Sequence, residues 1–562
     1  MELERKKRYY GPPWLFFFLS LVVLLSFGAG LYFYPAFIKQ SFETKLHLIL
    51  EDKDLGRDKA DVINGDVYLP LAIIREHLDE NIFWEEDTGT VVVTTKDRVV
   101  RMATKDLTAR VNSQEVTLQA PVIERDGVPW VPVEFLAPLY RVDINYFSDT
   151  GRVVITRLDK RQDIGRVLKE IKLRTAWGFR NPWLKELEPG AVVTVFEVNA
   201  GYARVRTKGG LLGYIPADSI HDKRTIVPES QEEPGAAKLW HPEDKKINLT
   251  WEFVTGRNPD TTKIPQLTGV NVVSPTWFYL SDSRGNIANK ASSSYVSWAH
   301  RQNYQVWALF SNDFDRERTH AVLTSAGKRE QVIDQLLVYA SLYQLNGINI
   351  DFENVYLKDR ELLVQFVREL VPLAHQQGLV VSIDVTIKGG SANYSLFYDR
   401  KALGKAVDYV ILMTYDEHWA SSPKAGSVAS LPWVEDGVRG LLEDVPQEKL
   451  VLGVPFYTRL WIEKEAEDGS LTVKSQALSM NAAERLLEEK GAEVTHDNAA
   501  GQHYASWQQG DIVYEIWLEN EESMRQRASL VKKYGLAGIA SWRRGFEKSS
   551  IWQVIDEELK RN

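Results

Sequence analysis

The 562-residue chain contains no cysteine. That excludes disulfide frameworks and thiolate metal sites, and it suits an exported protein that needs no oxidative folding. An excess of basic residues is missing too. Sixty-eight Lys and Arg stand against 77 Asp and Glu, a net charge of −9, so no nucleic-acid partner is expected. The sequence has no Walker loop, no zinc motif and no Ser-His-Asp set. Long apolar runs are absent except for one. Between Trp14 and Phe37 no charged residue occurs, and Arg5, Lys6, Lys7 and Arg8 precede it. Such a run is long enough to cross a bilayer. Tyr9, Tyr10 and Trp14 at one end and Tyr32, Phe33 and Tyr34 at the other suit the two interfaces. The run is long for a cleaved signal peptide, and no clear Ala-x-Ala site lies near its end. The expectation is an uncleaved single-pass anchor at 14–37, a cytoplasmic basic tail at 1–13, and everything beyond outside the cell.

What is present is organised in modules, as a chain of this length requires. Residues 60–158 contain an internal repeat. Val67-Tyr-Leu-Pro70 matches Pro129-Trp-Val-Pro132, and Asp87-Thr-Gly89 matches Asp149-Thr-Gly151, each pair 62 residues apart (70 to 132, 89 to 151). Each half reads as a strand, a Pro-led short helix and a hairpin turning on Asp-Thr-Gly. The repeat resembles the N-terminal domain of copper amine oxidases. His77 is its one plausible imidazole ligand, so a stalk or wall-contact role is expected rather than metal binding. Residues 164–221 read as a small β-barrel of short strands and Gly turns, such as Glu188-Pro-Gly190 and Gly213-Tyr214. They resemble bacterial SH3 domains, which implies a cell-wall contact; a spacer without a ligand is the alternative. Residues 222–246, rich in Pro, Glu and Lys, read as a linker.

Beyond the linker, strand and helix patterns alternate. Strands are expected at 247–254, 269–280, 305–312, 345–353, 380–386, 407–416, 449–458 and 538–542, with a longer excursion at 460–530. The expected architecture is a multidomain α/β chain. Its C-terminal part (247–562) is a (β/α)8 TIM barrel with an α+β insertion between strands seven and eight. It is preceded by the transmembrane helix, the small α+β repeat domain and the SH3-like β-barrel.

The fourth strand carries the chemistry. Ile348, Ile350 and Phe352 alternate with Asn349, Asp351 and Glu353. The apolar set suits the outer helices, and the polar set points into the barrel, toward the mouth at the strand's C-terminal end. Asp351 and Glu353 stand about 7 Å apart along one face. A second carboxylate at that range raises the pKa of the first, which keeps a general acid protonated.

This stretch resembles the signature of the family-18 glycoside hydrolases, the chitinase-like enzymes. Their pattern is Asp-Gly-x-Asp-x-Asp-x-Glu; here it reads Asn346-Gly347-Ile348-Asn349-Ile350-Asp351-Phe352-Glu353. The last Asp and the Glu are kept, while Asn stands at the first two Asp positions. Met413-Thr-Tyr415-Asp416 and Gly453-Val-Pro-Phe-Tyr457 resemble the motifs of strands six and seven, and Trp542 closes strand eight. Ser274-Pro-Thr-Trp277, Asn349-Ile-Asp-Phe-Glu353-Asn354 and Tyr415-Asp-Glu-His418-Trp419 are similar to a bacterial subgroup with peptidoglycan-acting N-acetylglucosaminidases.

The resemblance implies substrate-assisted retaining hydrolysis of β-linked N-acetylglucosamine glycans. Glu353 would be the acid and base. Asp351 would steady the oxazolinium, and Tyr415 would orient the acetamido carbonyl. Asn349, Asp416, Trp542, Trp277, Asn312, Trp419 and Tyr457 would bind substrate. No cofactor or metal is implied. The expected partners are a polysaccharide, the cell wall through the SH3-like module and the membrane through the helix. Peptidoglycan is the expected substrate, with chitin as the alternative. A catalytically weak or inactive carbohydrate-binding surface protein is the other alternative, since Asn replaces acid at 346 and 349.

Overall fold

The computed structural model describes residues 13–42, 45–112, 114–227, 239–242, 245–465 and 470–560. The basic tail expected at 1–13 and the centre of the expected linker lie almost wholly outside them. Two compact units divide the chain. One holds residues 1–84, 89–92 and 101–233; the other holds 85–88, 93–100 and 234–562.

In the first unit, the apolar run forms a single helix, Pro13–Phe37. Its large side chains from Trp14 to Tyr34 are exposed. The repeat is visible in the strand pairing. Asp66–Pro70 and Val128–Pro132, the two Pro-ended strands, lie antiparallel with Leu69 opposite Val131. Each leads into a short helix, Leu71–His77 and Ala137–Tyr140. The equivalent turn glycines adopt matching left-handed backbones, φ 61° at Gly89 and 63° at Gly151, which a Cβ would disfavour. Residues 162–226 form a seven-stranded antiparallel sheet. It curls around Val167, Leu173, Leu187, Val193, Val205 and Ile215. Gly213 is required there, because a Cβ would sit 2.6 Å from the Arg174 carbonyl oxygen.

The second unit is an eight-stranded parallel barrel. Its strands are β1 (Ile247–Glu252), β2 (Val272–Pro275), β3 (Gln305–Ser311), β4 (Gly347–Asp351), β5 (Val380–Thr386), β6 (Tyr409–Met413), β7 (Leu450–Pro455) and β8 (Gly538–Trp542). Each pairs in parallel with its sequence neighbours, and β8 closes on β1. The registers put residues of alternate parity inside. Ile247, Leu249, Trp251, Trp307, Leu309, Val380, Tyr409, Ile411 and Ala540 fill the interior. Ile350 and Phe352 face outward, and Phe352 stacks on Phe366 of the helix Arg360–Gln376, ring centroids 5.8 Å apart. Gly347 is needed where β4 passes Trp307: a Cβ would lie 2.7 Å from that indole and from the Val380 carbonyl.

Two expectations need correction. The second strand does not run through 269–280. It breaks after Pro275, and a separate strand, Phe278–Leu280, pairs with β3 and begins a hairpin. Nor does the excursion after β7 extend to 530. A five-stranded sheet and the helix Met480–Lys490 occupy 457–517. The following helix, Glu521–Lys533, packs on β7 and β8 as part of the outer ring, burying Met524, Ala528 and Val531.

Candidate active site

At the C-terminal end of the barrel strands a cavity of about 770 Å³ opens. This is the end at which TIM barrels carry their chemistry. Asp351, Glu353, Tyr415, Asp416, Trp419 and Trp542 all line it. Trp542 lies edge-on to buried Trp251, ring centroids 5.8 Å apart, so two indoles back the acids. Trp419 stands at the rim, 50% exposed.

Burial dominates the electrostatics. It pushes the Glu353 carboxyl well above its ordinary value, and the Asp351 and Asp416 charges push it further. Burial likewise raises Asp351 to about 7. Tyr415 is held well above the usual phenol value by burial and by the nearby carboxylates. At neutral pH the site therefore holds a protonated Glu353 beside an Asp351 close to its midpoint, the arrangement of a poised general acid.

The backbone of Glu353 is fixed from β3. Asn312 accepts from the Glu353 amide at 3.0 Å and donates to its carbonyl at 2.7 Å. The Tyr398 hydroxyl donates to the Phe352 carbonyl at 2.8 Å. Asp416 adopts a left-handed backbone, φ 61°, uncommon away from Gly and a form of local strain typical of functional sites. Its carboxylate accepts from the Tyr457 hydroxyl at 2.6 Å and lies 3.3 Å from the Arg459 guanidinium. Glu417 is tied down as well, accepting from the Ser430 amide at 2.7 Å and from its hydroxyl at 3.1 Å.

Four of the expected substrate contacts sit elsewhere. Trp277 is fully buried and donates to Asn258 at 2.7 Å; the break in the second strand turns it into the core. Asn312 is buried behind Glu353, and Tyr457 is buried behind Asp416. Asn349 is completely buried beneath the cavity. Its carbonyl accepts from the Trp251 indole at 2.8 Å and from Ser274 at 3.1 Å. Its amide donates to Ser382 at 3.1 Å and to Asp384 at 2.7 Å. The indole is a donor only, so this orientation of the amide is fixed.

The sequence reading missed Trp251, Asp384, Tyr394 and Trp433, all of which line the cavity. Asp384 carried a signal. Ser382, Asp384 and Thr386 alternate with Val381, Ile383 and Val385 as the acids of β4 alternate with its apolar residues.

Comparison with known proteins decides the family. Residues 270–547 match the model of the glycosyl hydrolases family 18. The barrel is a family-18 glycosyl hydrolase domain. Residues 52–155 match the copper amine oxidase N-terminal domain. Among the described residues no cluster of His, Asp or Glu suits a metal ion. The hydrolase is 27% identical over 334 residues to a Bacillus subtilis glycosylase, covering 57% of this chain and 93% of that one. It is 24% identical over 289 residues to a cortical fragment-lytic enzyme of Bacillus subtilis, covering 50% and 66%. In fold it is similar to the spore cortex-lytic enzyme SleL of Bacillus megaterium, at TM-score 0.51 and 17% identity over 66% of this chain and 89% of that one. A chitinase of Chromobacterium violaceum matches at TM-score 0.50 and 23% identity, over 56% of this chain and all of the other.

Proposed function

We propose that this glycoside hydrolase cleaves β-linked N-acetylglucosamine glycans, with peptidoglycan as its main substrate, by substrate-assisted retaining catalysis. The observation that carries the reading is how the cavity's carboxyls are held. A retaining glycosidase of the common type needs a free carboxylate as nucleophile opposite its acid. Here Asp416 is engaged by Tyr457 and Arg459, Glu417 by Ser430, and Asp384 by Asn349. Asp351, two residues before Glu353 on the same face of the strand, stands beside the acid rather than opposite it, and the nucleophile we assign is the substrate's own acetamido oxygen. Glu353 protonates the glycosidic oxygen as the bond to the anomeric carbon breaks. The acetamido carbonyl bonds to that carbon, giving an oxazolinium ion. Asp351 faces its nitrogen, and Tyr415 donates to its oxygen. Glu353, now ionised, removes a proton from water, which opens the ring with net retention. Asp416 binds a hydroxyl of the sugar beside the cut, and the sugar stacks over Trp542. Trp419 extends the cleft at its rim.

The substrate follows from where the enzyme would stand. The helix Pro13–Phe37 is long and apolar enough to hold it in a membrane, and the cluster from Arg5 to Arg8 favours an outward barrel. The SH3-like sheet at 162–226 would then contact wall. Cortex-lytic relatives support the same choice. Digestion of purified wall by the full chain in detergent should release fragments with new reducing N-acetylglucosamine ends, read by mass spectrometry, with chitin oligomers cut more slowly. Reducing N-acetylmuramic acid ends, or action on chitin alone, would refute it.

A further inference from the structure

In this chain the acidic position two residues before Asp351 is an amide, Asn349, and the strand beside it supplies a carboxyl. The register pairs Asn349 with Ser382 and Ile350 with Ile383. Continued by one residue, that register brings Asp351 level with Asp384, on the inward-facing parity of both strands. Asp384 is 1% exposed and deeper than Asp351. Its Oδ1 accepts from the Asn349 amide at 2.7 Å. Asp351 Oδ1 is buried and has no hydrogen-bond partner. No salt bridge reaches either acid among the described residues. The groups that face Asp384 are Asp351 and Glu353 on and after β4, Tyr398 from the segment after β5, and Tyr415 at the end of β6.

From this geometry we infer that Asp384 is a positioning residue that shares one proton with Asp351, taking from β5 the part that a carboxyl at position 349 would otherwise play. Two adjacent buried carboxylates cannot both ionise cheaply. The proton rests on the drier acid, Asp384, whose hydroxyl donates to the unpartnered Asp351 oxygen. Asp351 is left anionic toward the cavity. Burial and the Asp351 charge hold Asp384 well above the usual carboxylate range, consistent with that order. Asn349 matters because its amide locks one Asp384 oxygen and so directs the other. The inference rests on the catalytic reading of Asp351 given above.

The test exchanges the two groups across their hydrogen bond. Asp384→Asn keeps the shape of the side chain and removes the shared proton. Asp351 then accepts from an amide N–H, a weaker donor than the carboxyl O–H it replaces, so its pKa rises. The acid limb of the kcat/KM profile should move up by about one pH unit, and kcat should fall about tenfold with KM little changed. Adding Asn349→Asp to Asp384→Asn puts a carboxyl and an amide back across the same contact, and both the limb and kcat should return. Infrared titration of the full chain in detergent at pH 8 reads the proton without turnover: Asp384→Asn should lose one protonated-carboxyl band that Glu353→Gln leaves in place. An unmoved acid limb, a double variant no better than the single one, or an unchanged carboxyl band would overturn the assignment. If the parent hydrolyses no N-acetylated glycan but the band is lost, the shared proton stands and the catalytic reading fails.

Discussion

At the scale of single residues the site trades stability for a poised proton. Glu353 is held well above its ordinary pKa by burial first and by Asp351 second. The unfolded chain ionises this Glu near its usual value, while the folded chain keeps it protonated. As pH rises above about 4.5 the folded state is therefore penalised, increasingly until its own raised pKa is passed. Glu353→Gln carries no such penalty. The variant should melt higher than the parent, by a margin that grows from pH 5 to pH 8, while turnover falls by about a hundredfold or more. A margin independent of pH would show that Glu353 titrates normally. For the parent, Asp351 at about 7 must be ionised to work. Activity should decline as pH falls through neutrality, and full activity at pH 5 would be contrary.

At the scale of elements, what the sequence showed and what it hid have the same cause. The fourth strand was legible because its inward acids alternate with outward apolar residues, and a period of two survives in any strand with two different environments. Asp384 follows the same rule, but only one acid interrupts β5, and Ser382 and Thr386 are polar residues that ordinary strands tolerate. Trp277 is expected in the cleft because it falls toward the end of the expected second strand; local pattern cannot show that the strand breaks after Pro275 and turns the indole to Asn258. The helix Glu521–Lys533 has the amphipathic face of any helix, so its place in the ring rather than the insertion depended on long-range packing. Gly347 is fixed by its neighbours. Its missing side chain lets β4 pass Trp307 and the Val380 carbonyl. Gly347→Ala should cost on the order of 1–3 kcal/mol, measured by denaturant unfolding of the full chain followed through the barrel tryptophans. Wild-type stability would mean that the indole moves aside freely.

At the scale of the whole molecule, the chain joins a long apolar helix to a family-18 glycosyl hydrolase domain, and the proposed outward topology can be tested directly. The apolar helix shows no buried face from Trp14 to Tyr34, as a lipid-facing segment should. Protease added to intact cells should remove the chain beyond about residue 40, and the remaining stub should stay with the membrane fraction. Protection of the barrel in intact cells, or recovery of the full-length chain in the medium, would contradict the topology.

Attack by the substrate's own acetamido group can be tested directly. Aryl glycosides of N-acetylglucosamine oligomers can be made with zero to three fluorines on the acetyl group of the sugar beside the cut. Each fluorine weakens the carbonyl as a nucleophile and leaves the leaving group untouched. With the acetamido group as nucleophile, kcat/KM should fall steeply with every fluorine, in parent and in Asp351→Asn alike, on a lower line for the variant. A rate that stays flat across the series would mean that a carboxylate of the protein attacks instead.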